Sequence, residues 1–418
     1  MNILIAPDSF KESADAITVA NAIARGVRRV FPDATLDICP MADGGQGTVA
    51  ALVAATGGTT QTVEVAGPLY QPVQATFGLL GNKGLSPFSP SFAKMGTVPL
   101  VGSTHEGDSP LFHTAEKGDS PLTAVIEMAA ASGLTLVPPA LRDPTRTTTY
   151  GTGQLIVAAL NLAVERIIVG IGGSATNDGG AGMAQAIGVQ FFDPAGQLLP
   201  AGLSGGSLNR IARIDISRRD KRLDHIELIA ACDVTNPLIG ATGASAVYGP
   251  QKGATAVTIP LLDDNLSHLA SLVECYLGKA IANLPGAGAA GGLGGGLVAF
   301  ANATLRRGVE LVIDATGLAD RLRRADLCIT GEGRLDSQSL YGKTAIGVGR
   351  LARECKVPVI AIVGGATEPG ATQAKFECLD DYFVIRPAGM ELAEAFARVE
   401  ELIEQAAERA MRGRAAQS

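Results

Sequence analysis

Apolar positions along the chain follow two alternating rhythms. The run NILIAP at residues 2–7 is short and continuous; Ile17, Ala20, Ile23, Ala24, Val27, Val30 and Phe31 then recur at helical spacing, and a second short run, LDICP, follows. Short β-branched runs bounded by turn residues read as buried strands, and a 3.6-residue apolar period as an amphipathic helix. A β-α-β unit is therefore predicted, and with it a parallel sheet carrying helices. The rhythm returns near the end, where ADLCIT precedes a helical stretch from about Gly342 to Glu354. VPVIAIVGG follows, and a last amphipathic helix runs through Leu392, Phe396, Val399 and Ile403. Between the two ends, TVEVAG and QATFGLL read as strands, ERIIVGIGG as a buried parallel strand entering a glycine loop, and IELIAACDV as a repeat of that design. The fold class is α/β.

Residues 83–122 break the pattern. They are rich in Ser, Pro and Gly, and GDSPL occurs at 107 and again at 118. Such a segment buries too little apolar surface to offset its ordering entropy, so 84–122 reads as a mobile surface insertion. Its removal would join QATFGLLGNKG to TAVIEMAAASG across a glycine-containing turn, which spells a β-hairpin.

Composition narrows the chemistry. The chain has 418 residues, 46% of them hydrophobic, enough for two or three domains with full cores. Its six cysteines are scattered without a C-x-x-C pair, and read as small buried residues of a reduced compartment. Of four histidines, His105 and His113 fall in the insertion, which leaves His225 and His268 for any imidazole chemistry. A net charge of −7 with thinly spread Lys and Arg argues against nucleic acid. No apolar stretch approaches a membrane span or a secretory leader, so a soluble cytoplasmic protein is expected.

In an open α/β sheet, ligands sit beyond the carboxyl ends of the strands. The polar residues that follow strand-like runs are Asp8, Ser9 and Lys11 in APDSFKES, Asp43 in PMADGGQGT, Asn177 and Asp178 in GGSATNDGG, and Asp233 and Asn236 in ACDVTNPL. Lys252 in GPQKGA and Glu332, Arg334 and Asp336 in TGEGRLDSQS complete the set. Glycine flanks nearly all of them. Without Cβ, main-chain N–H groups approach a phosphate closely, and a following helix adds its positive dipole end. Gly172, Gly173, Ser174, Gly179 and Gly180 are the candidate phosphate cradle, with nearby carboxylates suited to magnesium. Plainer readings stand beside these: a helix N-cap at Asn177 or Asp178, Asx-turns at Asp8 and Asp43, and surface lysines at 11 and 252.

Two nucleotide signatures fail on context. SQSLYGKT, 337–344, ends like a P-loop, but Ser stands at its first glycine and no strand feeds it. GAGAAG, 286–291, fits the dinucleotide pattern, yet a helix end with a proline precedes it, so a stripe of small packing residues is the better reading.

Taken together, IAPDSFKES, ADGGQGT, IEMAAASGL, IGGSATNDGGAGMAQA, ACDVTNPL, GPQKGA, PGAGAAGG and TGEGRLDSQS resemble the bacterial glycerate kinases of the first class over nearly the whole chain outside 84–122. The resemblance implies ATP-dependent phosphorylation of D-glycerate, giving 2-phosphoglycerate with Mg²⁺. It also implies two α/β domains with mainly parallel sheets, one flavodoxin-like and one restriction-endonuclease-like, with the cleft between them. The first would comprise 1–80 plus 285–418, and the second 81–284. By position in the motifs, Asp8, Asp43, Asp178 and Asp233 become metal-binding or hydroxyl-orienting acids, with Asp43 and Asp233 on the metal and Asp178 as acceptor of the hydroxyl proton. Lys11 and Lys252 become phosphate-neutralising cations, and Ser9 and Asn177 substrate contacts. Arg334 or Arg142 would clamp the carboxylate, and a homodimer is compatible with this layout. Phosphoryl transfer asks mainly for positioning and charge neutralisation, which suits a histidine-poor chain. The competing readings are a nicotinamide-dependent hydroxy-acid dehydrogenase, which needs a strand feeding GAGAAG, and a non-catalytic sensor. The insertion is either a lid or decoration.

Overall fold

The structure, a computed structural model, describes residues 1–81, 122–335, 344–366, 376 and 378–416. The insertion at 84–122 and Asp336 therefore fall outside the described residues, apart from Leu122, as does all of the P-loop-like segment except Thr344.

Thirteen strands are described: β1 (Asn2–Pro7), β2 (Thr35–Ile38), β3 (Thr59–Ala66), β4 (Pro72–Leu79), β5 (Thr123–Glu127), β6 (Arg166–Gly170), β7 (Gln190–Phe192), β8 (Arg213–Asp215), β9 (Glu227–Ala231), β10 (Thr304–Arg306), β11 (Leu327–Glu332), β12 (Val359–Val363) and β13 (Asp381–Val384). They form a five-stranded sheet ordered β13-β12-β11-β1-β2, a six-stranded sheet ordered β10-β9-β6-β5-β4-β3, and a small β7-β8 pair. Every pairing in the first sheet is parallel. Counted within that sheet its order is 2-1-3-4-5, the doubly wound flavodoxin arrangement, whose switch point lies between β1 and β11. The second sheet is parallel from β10 to β5 and turns antiparallel at β4 and β3. The hairpin read across the insertion is present, with Gly78 opposite Val125 and Leu79 opposite Ala124.

Alternation along the strands sorts side chains into three cores. Ile3 and Ile5 point to an outer layer with Val19, Ile23, Val27, Leu402 and Ile403. Leu4 and Ala6 point the other way, into a middle layer that also receives Val125, Ile168 and Ile229 from the second sheet. Helices Thr48–Thr56, Gly308–Thr316 and Thr344–Glu354 fill that layer. Ala124, Ile126, Ile167 and Val169 face the second sheet's own outer core. The two sheets thus share one apolar filling and cannot drift apart without exposing it.

Sheet membership differs from the division at 80 and 285. β3, β4 and β10 hydrogen-bond into the second sheet, so we propose that the second unit begins near 57 and ends near 307. Strand pairing is non-local, and nothing in the local pattern of residues 59–79 marks which sheet they join. The last helix is also broken in two, Leu392–Ala397 and Val399–Ala415, with Arg398 at φ −114° between them. No helix among the described residues is long and apolar enough to cross a membrane.

Helix Ala16–Arg28 starts at Asp15, whose side chain accepts from the Thr18 N–H at 2.7 Å. It packs along Val399–Ala415, flanked by Arg25–Glu400, Arg25–Glu404 and Arg29–Glu408 ion pairs that are too exposed to contribute much. Close approach depends on Gly26: a Cβ there would stand 2.3 Å from the Glu404 carbonyl oxygen. Gly26→Ala should therefore cost about 1–3 kcal/mol despite alanine's better helix propensity. Urea denaturation checks this, and an unchanged midpoint would contradict it.

Candidate functional site

The first sheet brings its acids to the switch point. Asp8 directly follows β1 and is buried; one carboxylate oxygen accepts from the Ser9 N–H at 2.6 Å and the other from the Thr344 hydroxyl at 2.5 Å. Burial, reinforced by the neighbouring negative charge of Asp43, pushes its carboxyl up to about 6. Asp43, in the loop after β2, accepts from the Gly45 N–H at 3.0 Å and from Lys11 Nζ at 3.2 Å. The charge of Asp43 raises the Lys11 ammonium, which keeps its proton. The Lys11 side chain is 78% exposed, so this ion pair stabilises the fold little.

The second sheet supplies the opposite wall. Gly172, Gly173 and Ser174 follow β6 and line the cleft. Lys252, in the turn Pro250–Lys252, is 1% exposed, and its Nζ donates to Ser174 Oγ and to the Thr176 carbonyl, each at 2.7 Å. Burial pulls this lysine down to about 7, against the attraction of the Asp178 charge. An ammonium with two of three protons committed keeps one donor for a ligand. Asp233 follows β9 and accepts from the Gly308 N–H at 3.0 Å. It stands exposed at the mouth, but the surrounding walls exclude enough water to push its carboxyl up to about 6, with Asp43 adding to the effect.

Between these walls lies a cleft of about 1030 Å³ lined by Asp8, Ser9, Lys11, Asp43, Gly172, Gly173, Ser174, Asp233 and Lys252. A second hollow of about 700 Å³ opens from it, sharing Asp8, Ser9, Lys11 and Asp43 and reaching Glu332 and Arg334. The strand-end residues expected from sequence thus converge here from both sheets.

Five residues given a role from the sequence do not, and Asn236 also lines neither hollow. Asp178 is fully buried; its carboxylate accepts from the Thr149 N–H and hydroxyl, each at 2.8 Å, the Gly180 N–H at 3.1 Å and the Gly182 N–H at 3.2 Å. It closes the N-terminus of helix Ala181–Ala186 and ties it to the start of Tyr150–Leu160, beyond reach of a substrate hydroxyl. Burial outweighs those donors and raises its carboxyl. Gly179 and Gly180 meet protein rather than phosphate: a Cβ on Gly179 would stand 2.5 Å from Leu269, and one on Gly180 3.0 Å from the Gly296 backbone. Asn177 is buried, with Nδ2 donating to Ser245 Oγ at 3.0 Å and Oδ1 finding no partner among the described residues. Arg142 is half-buried and lines neither hollow. The N-cap position itself is Gly180 rather than Asn177 or Asp178, and Asp178 serves the helix by accepting from the N–H groups at its start.

Glu127 was missed. It ends β5, and one of its carboxylate oxygens accepts from the Gly47 and Val49 N–H groups at 3.0 and 2.9 Å, seating the helix behind the Asp43 loop. The same strand-end rule applied to TAVIE finds it. Because Glu127 fills that helix terminus, the terminus is not available to an anion. Tyr248, which lines the cleft and donates to Asn236 Oδ1 at 2.7 Å, carried no sequence signal.

Among the described residues no three His, Cys, Asp or Glu side chains gather closely enough to cage a metal. Asp43 and Asp233 do face one cleft and repel one another, which fits an ion such as Mg²⁺ that is held by one or two carboxylates plus phosphate and water. GAGAAG follows turns rather than a strand, so the dinucleotide reading lacks its required context.

The profile of the Glycerate kinase family matches residues 3–414. A glycerate kinase of Halalkalibacterium halodurans is 49% identical over 97% of this chain and 96% of its own length. One of Bacillus subtilis is 46% identical over 97% and 96%. A glycerate 2-kinase of Escherichia coli is 46% identical over 88% and 86%. A crystal structure described as a candidate glycerate kinase 2 of Salmonella typhimurium LT2 superposes with a TM-score of 0.82 at 45% identity, covering 100% of this chain and 99% of that one.

Asp178→Asn places an amide N–H₂ among donors. It should destabilise the fold by on the order of 3 kcal/mol, read as a lower denaturant midpoint. Unchanged stability with lost turnover would instead put Asp178 back in the chemistry.

Proposed function

The chain belongs to the glycerate kinase family, and we propose on that premise that it transfers the γ-phosphoryl group of ATP to the 2-hydroxyl of D-glycerate, giving 2-phosphoglycerate and ADP in the cytoplasm. The observation that carries the site assignment is the meeting of Asp8, Lys11 and Asp43 from one sheet with Ser174, Lys252 and Asp233 from the other in one cleft. The E. coli relative's name supports the choice of hydroxyl.

Asp8 is the general base in this reading. It is buried at the junction of the two hollows, and a carboxyl near 6 is mostly ionised at neutral pH while retaining proton affinity. It takes the proton of the substrate hydroxyl as that oxygen bonds to phosphorus and the bond to the ADP oxygen breaks. Lys11 and Lys252 supply positive charge to the phosphoryl oxygens and the substrate carboxylate. Asp43 and Asp233 would hold Mg²⁺, which when bound neutralises charge on the phosphates. Ser9 and Arg334 line the approach.

The ³¹P spectrum of the product formed from ATP and D-glycerate tests the reaction: a 2-phosphate resonance is expected, and a 3-phosphate or no product contradicts it. The pH profile tests the roles. Asp8 must be ionised, so kcat/KM should rise through about pH 6; Lys252 must stay protonated, so it should fall above about pH 7. Asp8→Asn should lower turnover about 100-fold or more. A profile flat from pH 5 to 9 would exclude both assignments.

A further inference from the structure

We infer that the second hollow seats the adenosine part of the nucleotide, while the three-carbon acid lies over Lys252 and Ser174 in the first. This rests on the kinase reading and adds which cavity takes which substrate.

A phosphoryl donor and its acceptor must face each other across one point. The two hollows touch only at a shared rim made of Asp8, Ser9, Phe10, Lys11, Glu12, Ser13 and Asp43. The reacting ends belong at that rim, and the remainders of the two substrates must extend in opposite directions from it.

The second hollow is built for something larger and less polar than a hydroxy acid. One side is an apolar shelf of Ile385, Leu392, Ala395, Phe396 and Val399. Leu392 is 54% exposed and Phe396 38% exposed, on a short helix that turns them toward open space. D-glycerate, with three carbons each bearing oxygen, has no surface to cover them, whereas a purine ring does. Between shelf and rim lie the polar groups a nucleotide needs: Arg334 and Arg386 for phosphate charge, and Glu332 at the end of β11, whose charge also bears on Lys11. The hollow lies beyond the carboxyl ends of β1, β11 and β12, beside the switch point of the first sheet, where mononucleotides bind in doubly wound folds.

The first hollow has the complementary character. Beyond the shared rim it carries the Asp15 and Asp233 carboxylates and, as its one cation among the described lining residues, the buried Lys252 ammonium, held by Ser174 and the Thr176 carbonyl with one donor to spare. Although it is the roomier of the two hollows, none of its described lining side chains is a large exposed apolar one like Leu392 or Phe396, and a small carboxylate reaches the Lys252 donor.

The chain contains no tryptophan, so a single introduced one reports locally. Phe396→Trp places a reporter on the shelf and Tyr248→Trp places one in the first hollow. ADP should change the emission of Phe396→Trp saturably and leave Tyr248→Trp nearly unmoved, and D-glycerate should do the reverse. Leu392→Ala, at an exposed position that the fold tolerates, should raise KM for ATP about tenfold and leave KM for D-glycerate within twofold. ADP acting on Tyr248→Trp alone, or an unchanged KM for ATP in Leu392→Ala, overturns the assignment while the kinase reading survives. Absence of ATP-dependent turnover in the unmodified protein overturns both.

Discussion

The structure depends on main chain meeting main chain where the carboxyl ends of the two sheets come together. Gly308 opens its helix so close to the Asp43 loop that a Cβ would stand 2.0 Å from the Asp43 carbonyl oxygen. A Cβ on Gly44, where φ is +85°, would meet Gly308 at 2.8 Å and Ala231 at 2.9 Å. No larger residue fits that seam. Through it Asp43, carried by the first sheet, is brought into the field of Asp233, carried by the second. The shared apolar layer behind the seam, with Leu4 and Ala6 on one side and Val125 and Ile168 on the other, holds the approach fixed.

Such closeness has an electrostatic consequence. Loss of water around Asp8 and Asp233, with the charge of Asp43 bearing on each, makes those two hold their protons to about pH 6. Like charges held together by a rigid scaffold are relieved by cations, and Lys11 is already in place beside Asp43. A fold that does not need the Lys11–Asp43 pair for stability nevertheless maintains it at the junction of two cavities.

Local pattern revealed what local physics decides. The β-α-β units at both ends, the hairpin across the insertion, and the places of Asp8, Lys11, Asp43, Ser174 and Asp233 all follow from apolar runs and the polar residues beyond them, whereas Lys252 sits in a turn after the short helix Ala244–Tyr248. The reading failed where two physical causes leave the same trace. A glycine that admits a phosphate and a glycine that admits a neighbouring backbone look alike, and Gly179 and Gly180 are of the second kind, backed by Leu269 and Gly296. Asp178 accepts from the N–H groups at the start of the helix that follows its glycine loop, where a substrate-binding acid would also sit. Short edge strands such as Asp381–Val384 and Thr304–Arg306 have too few residues for a period to register. Which sheet Thr59–Leu79 joins is set by pairing with distant strands.

The central claim is that the acids and the exposed lysine gathered at the seam exist for chemistry rather than for stability, and Lys11→Ala tests it most directly. Measured together, kcat/KM should fall at least tenfold while the denaturant midpoint stays unchanged. Full activity, or a loss of activity matched by a loss of stability, would contradict the account.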